Sequence, residues 1–198
     1  MLSKAERTSQ HILETVAPLF NRLGYASASM TEITKASGMT KGAIYGNFEN
    51  KEKLALASFE YSIKRISNQI RTYTSKVKTP IEKLYALTEF YRNYHSYSQN
   101  LGGCPILNMG VDSKNNNSDL LKRVKEVIKE FQDNLMFLIK KGIDVGDIKE
   151  TVDAKKYAYR IFALMEGSIF MTITMNDRVY SEDMMDFIDE MINRELKK

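Results

Sequence analysis

The sequence has a single cysteine, Cys104, so no disulfide can close within the chain, and a reducing compartment suits it. Three prolines and ten glycines in 198 residues leave helix formers such as Lys, Glu, Leu, Ile and Met to dominate, which tilts the chain toward helix. Long hydrophobic runs are missing: the most apolar stretch, IFALMEGSIFMTITM, is interrupted by Glu166 and is too short to span a bilayer. No opening segment combines a basic start, an apolar run and a small-residue cleavage site, so a soluble cytoplasmic protein with no membrane partner is expected. Clusters that carry chemistry are scarce too. There is no His/Cys set at metal-ligand spacing, no phosphate-cradling glycine loop after a strand and no paired carboxylates. His95 and Cys104 are separated by a glycine break with no orienting acid, so neither an enzyme nor a metal or cofactor is expected.

What is present can build a core, with 43% hydrophobic and 27% charged residues and no signature of disorder. A net charge of +4 and a pI near 8.9 permit contact with a polyanion without demanding it. Helical periodicity recurs along the chain. Ile12, Val16, Leu19, Phe20 and Leu23 make a first stripe with Gly24 as its stop, and Pro18 inside it predicts a local kink. Asn50 caps a longer helix carrying Phe59, Ile63, Ile66, Ile70 and Tyr73. Thr79-Pro80 opens a helix expected to reach Tyr97, and a short helical piece follows Cys104-Pro105. SKNNNS, residues 113 to 118, reads as a loop before the stripe Val124, Ile128, Phe131, Leu135 and Leu138. Asp153 caps the next helix, and a last one carries Met184, Phe187, Ile188, Met191 and Ile192. No strand alternation and no internal repeat interrupt this pattern, so the fold class is all-α.

Residues 28 to 54, ASMTEITKASGMTKGAIYGNFENKEKL, depart from that pattern: large aliphatics are few, and Gly38, Gly42 and Gly46 stand among helix formers. Ser29-Met-Thr-Glu32 is a capping box for a short helix that Gly38 closes, and Thr40 caps a second one ending near Asn47-Phe48. Two short helices joined by such a turn are a helix-turn-helix, whose second helix enters the DNA major groove. Small residues at Gly42, Ala43 and Gly46 would let its backbone approach DNA, Thr40 and Lys41 lie where an anion is favoured, and Tyr45 offers a ring and a hydroxyl. Lys51, in the next helix's first turn, reaches phosphate. A plain pair of short helices is the alternative.

The succession Leu23-Gly24-Tyr25, Ser29-Met-Thr-x-Ile33, Ser37-Gly38, Lys41-Gly42-x-Ile44-Tyr45 and Phe48-x-x-Lys51-Glu52-x-Leu54 resembles the DNA-binding domain of the TetR (tetracycline repressor) family. The resemblance covers about the first quarter of the chain, and Gly103-Cys104-Pro105-Ile106-Leu107-Asn108 is similar to the middle of some subfamilies. It implies a helix-turn-helix domain over residues 1–51 and a helical domain over 52–198 that takes up a small molecule and dimerises through its last two helices. It also implies that Thr40, Lys41, Gly42, Tyr45 and Asn47 face DNA, with Lys51 on phosphate. Gly46 and Asn47 stand where many relatives have bulkier or histidine side chains, so base preference does not transfer.

The expected effector set is Tyr91, Tyr94, His95, Cys104, Asn108, Phe131, Met165 and Ile169, although stripes of this kind also serve as plain core. The expected dimer set is Ile161, Leu164, Ser168, Met184, Phe187, Ile188 and Met191, on stripes that could equally pack within one protomer. The resulting expectation is a homodimeric transcriptional regulator on a palindromic double-stranded DNA operator, a repressor released by a small-molecule effector. A helical protein-interaction adaptor is the alternative.

Overall fold

The computed structural model describes residues 3–198, and among them every element is helical apart from one isolated bridge, Ile148 to Lys197. By compactness the chain forms two units. The first takes the chain up to Ile66 with Ser98–Glu126, and the second takes Ser67–Tyr97 with Val127–Lys198. The segment 1–51 lies wholly in the first unit, while 52–198 contributes to both.

The first unit opens with α1, Lys4–Ser27, started by a capping box in which Ser3 and Glu6 satisfy each other's backbone N–H. Its apolar stripe buries Ile12, Val16 and Phe20. The helix passes Pro18 without a break, because the ring's fixed φ is already helical; the irregularity falls at Gly24, whose φ of 80° and ψ of 166° no helix can continue. That break frees backbone groups, and neighbours take them up. Asn108 Nδ2 donates to Asn21 O at 2.9 Å, while Asp112 Oδ2 accepts from Tyr25 N at 2.6 Å and Ala26 N at 3.3 Å. A Cβ at Gly24 would lie 2.9 Å from the Asp112 carboxyl carbon, so only glycine fits.

Asp112 and Asn108 lie on α7, Pro105–Asn116, longer than the short piece expected. The run expected as a loop, 113 to 118, is almost entirely helical: α8, Ser118–Asp144, follows with only Asn117 between. The asparagines do it by local bonding. Asn116 Nδ2 donates to Asp112 O at 2.7 Å, and Asn117 Oδ1 accepts from Leu120 N at 2.9 Å as a cap for α8. Leu120 and Val124 of α8 complete this unit's core, and Arg123 bridges to Glu60 of α4, Lys51–Thr74.

In the second unit the helix expected from Thr79 to Tyr97 is two helices, α5, Pro80–Arg92, and α6, Tyr94–Gln99. Asn93 separates them, its amide donating back to Glu89 O at 3.0 Å. Helix α9, Ala154–Met175, capped by Asp153, packs with α10, Val179–Met191, which also lies on α5. Arg92 secures that contact with bonds of 2.7 Å to Asp186 and 2.5 Å to Asp189, and Thr88 Oγ1 donates to Asp189 at 2.7 Å. A π-helical turn, Ile192–Leu196, ends the chain's helical course.

Candidate nucleic-acid interface

Helices α2, Met30–Ser37, and α3, Lys41–Tyr45, are joined through Gly38 at φ 64°, a left-handed turn that suits glycine. Ser29 and Glu32 form the capping box of α2, with bonds of 2.8 and 3.2 Å. Thr40 Oγ1 accepts from Ala43 N at 3.1 Å and starts α3, and Asn50 Oδ1 accepts from Lys53 N at 2.8 Å and starts α4. The inner faces of α2 and α3 bury Ile33 and Ile44 in the same core as Phe20, whereas Ala36 is exposed.

With Ile44 turned inward, Thr40, Lys41, Gly42, Tyr45 and Gly46 are exposed together. Lys41 Nζ stands 5.8 Å from the Tyr45 ring centroid, so a cation and a 39%-exposed aromatic share one patch. A Cβ at Gly42 would meet nothing within 4 Å. The protein's own packing therefore gives no reason for glycine at a helical position where alanine is favoured by up to about 1 kcal/mol. The space over Gly42 is left open to the outside.

Two of the six residues expected to face DNA are placed differently from the rest. Asn47 is half-buried, with Oδ1 accepting from Ser9 Oγ at 2.8 Å and Nδ2 donating to Ala43 O at 2.8 Å. Its amide fastens the end of α3 to α1. Lys51 is half-buried with Nζ 4.6 Å from the Tyr25 ring centroid. Tyr25 OH in turn donates to Glu52 at 2.6 Å; burial and that carboxylate push the phenol up to about 12. Glu52 is held below the usual carboxylate range by the same bond.

Residues that the sequence did not flag hold α2 and α3 in place. Ser9 reaches Asn47 across 38 positions, and His11 Nε2 lies 2.9 Å from Ser37 O at the end of α2. Both sit on α1 just before Ile12, and local spacing carries no sign of such distant partners. Asp112, also unflagged, holds the end of α1 instead, and Gly24, read as a helix stop, was the one hint that freed N–H groups there would need an acceptor.

The eight expected effector residues divide between the units: Cys104 and Asn108 belong to the first, and Tyr91, Tyr94, His95, Phe131, Met165 and Ile169 to the second. Cys104 is buried and Asn108 spends its amide on Asn21. Tyr91, Tyr94, His95 and Ile169 do come together with Thr172, Ile173 and Ser181, but around a seam with no room for a ligand. Tyr91 and Tyr94 pack with Phe90 at ring separations of 5.1 and 5.6 Å. The second unit does contain an open cleft of about 280 Å³, lined by Ile70, Leu87, Phe131, Leu135 and Leu138 with Arg71 and Lys83 among its polar members. Of the expected eight, only Phe131 lines it.

Of the seven expected dimer residues, Ile161, Ser168, Ile188 and Met191 are buried within the protomer. Leu164 and Met184 are half-buried, and Phe187 is 45% exposed. The apolar side chains that α9 and α10 present outward are Tyr159, Phe170, Met171, Met175, Val179 and Phe187. Among the described residues no helix is long and apolar enough to cross a membrane, and no group of three or more His, Cys, Asp or Glu could hold a metal ion.

A short helix seated by Ile44 on its supporting helices, with Thr40, Lys41, Gly42 and Tyr45 turned to solvent, defines a helix-turn-helix DNA-binding protein. Comparison with known proteins narrows the class. Residues 12–58 match the profile described as bacterial regulatory proteins, tetR family, and residues 80–188 match the tetracyclin repressor-like C-terminal domain. A TetR-family regulator from Cytophaga hutchinsonii is 34% identical, with a TM-score of 0.91 over 100% of this chain and 99% of that one. A TetR transcriptional regulator from Chloroflexus aurantiacus J-10-FL is 31% identical, with a TM-score of 0.93 over 99% of each chain. The Fatty acid metabolism regulator protein of Bacillus subtilis (strain 168) is 24% identical over 85% of this chain and 84% of its own length. The chain belongs to the TetR family. It is a DNA-binding transcriptional regulator, in a family whose members are typically repressors with a ligand-binding C-terminal domain, bind operators as dimers and are normally not enzymes.

Proposed function

We propose that two copies of this protein hold a palindromic operator through Thr40, Lys41, Gly42 and Tyr45 of each α3, with Lys51 on the phosphate backbone, and release it when a small effector enters the cleft of the second unit. Residues 1–51 then act as the reader and 52–198 as the effector and dimerisation domain. Asn47 serves the reader from within, by fixing the end of α3 to Ser9.

One observation carries this reading. Helix α4, the next helix after α3, starts at Lys51 and runs unbroken to Thr74, and Ile70, Arg71 and Thr74 of its last turns line the cleft. A ligand held against those turns touches the same continuous helix whose first residue approaches DNA. The mechanism is a two-state one: the effector shifts the equilibrium away from the DNA-competent arrangement by as much as its affinity differs between the two. Dimerisation fits the outward apolar side chains of α9 and α10, since two such helices from each protomer make a four-helix bundle about a two-fold axis.

A reporter gene placed behind the protein's own upstream region, in cells with and without the protein, tests the direction of regulation. Repression predicts that removing the protein raises reporter output. A fall would make the protein an activator.

A further inference from the structure

We infer that the cleft of the second unit selects an organic acid: a single carboxylate on a compact apolar body. The inference rests on the effector site proposed above and names its ligand class.

The lining has a consistent chemistry. Ile70, Leu87, Phe131, Leu135 and Leu138 form its apolar part, Ser67, Thr74 and Asn134 add neutral hydrogen-bonding groups, and Arg71 and Lys83 are its only charged members. No aspartate or glutamate faces the space. Acids close by in sequence are already committed. Glu82 Oε2 accepts from Thr79 N at 2.9 Å and Lys78 N at 3.2 Å, and Asp133 is bridged by Lys129 at 2.9 Å. Arg71 and Lys83 thus have no ion pair among the described residues. Arg92 stands in contrast: on the same helix as Lys83, it engages Glu89, Asp186 and Asp189.

Two cations at an apolar cleft with no counter-charge make the site electropositive, and desolvating them against a neutral ligand would be unfavourable. A carboxylate removes that cost, and the arginine fork matches its two oxygens. The apolar lining then takes the rest of the molecule. A volume of about 280 Å³ holds roughly nine or ten heavy atoms at the ~30 Å³ of one water molecule. Octanoate is a probe of that size.

Calorimetric titration of the full-length protein with octanoate, octan-1-ol and octyltrimethylammonium tests the selection, in wild type, in Arg71→Gln/Lys83→Gln and in Lys140→Gln, an exposed lysine outside the cleft. Melting temperatures are measured alongside. The expected result is binding of octanoate about tenfold or more tighter than of either analogue. The double variant should lose that preference with an unchanged melting temperature, and Lys140→Gln should keep it. Equal affinity for acid and alcohol, retention of the preference in the double variant, or no binding of octanoate overturns the proposal. Operator release is read separately: octanoate that binds selectively but leaves operator affinity unchanged supports the acid site and removes its role as the effector site.

Discussion

Gly42→Ala should move folding stability and DNA affinity in opposite directions. Gly42 is exposed at the second position of α3, its backbone is helical, and a Cβ there meets nothing within 4 Å. In the free protein the methyl group is accommodated, and α3 gains up to about 1 kcal/mol in helix propensity, less in a first turn. On DNA the same methyl enters the gap through which the recognition helix approaches the groove. Overpacking of a close contact costs about 1–3 kcal/mol, or roughly 5- to 150-fold in affinity for each half-site. Thermal unfolding of the free protein and anisotropy titration of a labelled operator, at one salt concentration, read the two effects. A variant as stable as wild type or more so, with markedly weaker operator binding, is expected. Undiminished affinity would refute the reasoning, because the open space over Gly42 would then have nothing to do with DNA.

Other substitutions probe other parts of the account. Lys41→Ala should weaken binding to operator and unrelated DNA alike and lower the slope of log affinity against log salt by about 0.9 per protomer, which a salt series measures. Gly24→Ala should destabilise the first unit by about 1–3 kcal/mol in chemical denaturation, since it forces a side chain to φ 80° and against Asp112. Phe170→Glu combined with Phe187→Glu should shift sedimentation velocity toward monomer without altering the helical signal, because both side chains face outward. Tyr25 gives a pH test. Its phenol is raised in the folded state by burial and by Glu52, so its contribution is complete below pH 10 and is lost as pH rises through about 12. Tyr25→Phe should be less stable than wild type below pH 10 and show a shallower decline in stability between pH 10 and about 12, followed by denaturant titrations across that range.

Local chemistry made much of the fold legible in the sequence. Ser29 with Glu32, Thr79 with Pro80, and Asp153 each announce a helix start, and the structure has a cap at every one. The helix-turn-helix was readable for the same reason: its glycine turn and threonine cap are chain neighbours. Readings that failed did so where an effect crossed the chain or where a side chain bonded to its own helix. Pro18 was read as a local kink because its missing donor is visible in sequence, whereas the irregularity falls at Gly24, read as a stop, and is held by Asp112, 87 positions from Tyr25. SKNNNS was read as a loop from its composition, but Asn116 and Asn117 turn their amides onto nearby backbone and close the gap between two helices. The expected effector and dimer sets share one difficulty. Periodicity shows that Ile161, Ile188 and Tyr91 lie on apolar stripes, yet it does not say which stripe faces the protomer's own core, and these three do. Arg71 and Lys83 carried no sequence signal, because neither their place at the cleft nor their lack of an ion pair is a property of neighbouring residues.

Titration of the purified protein against duplex from upstream of its own gene, with unrelated DNA in parallel and the stoichiometry measured, puts the proposed reader to the test. Saturable binding well above the unrelated control, with two protomers on one palindromic site and its loss in Gly42→Ala, is the predicted result. Equal, weak binding to both duplexes across the salt series, or a single protomer at saturation, would contradict the paired-reader account.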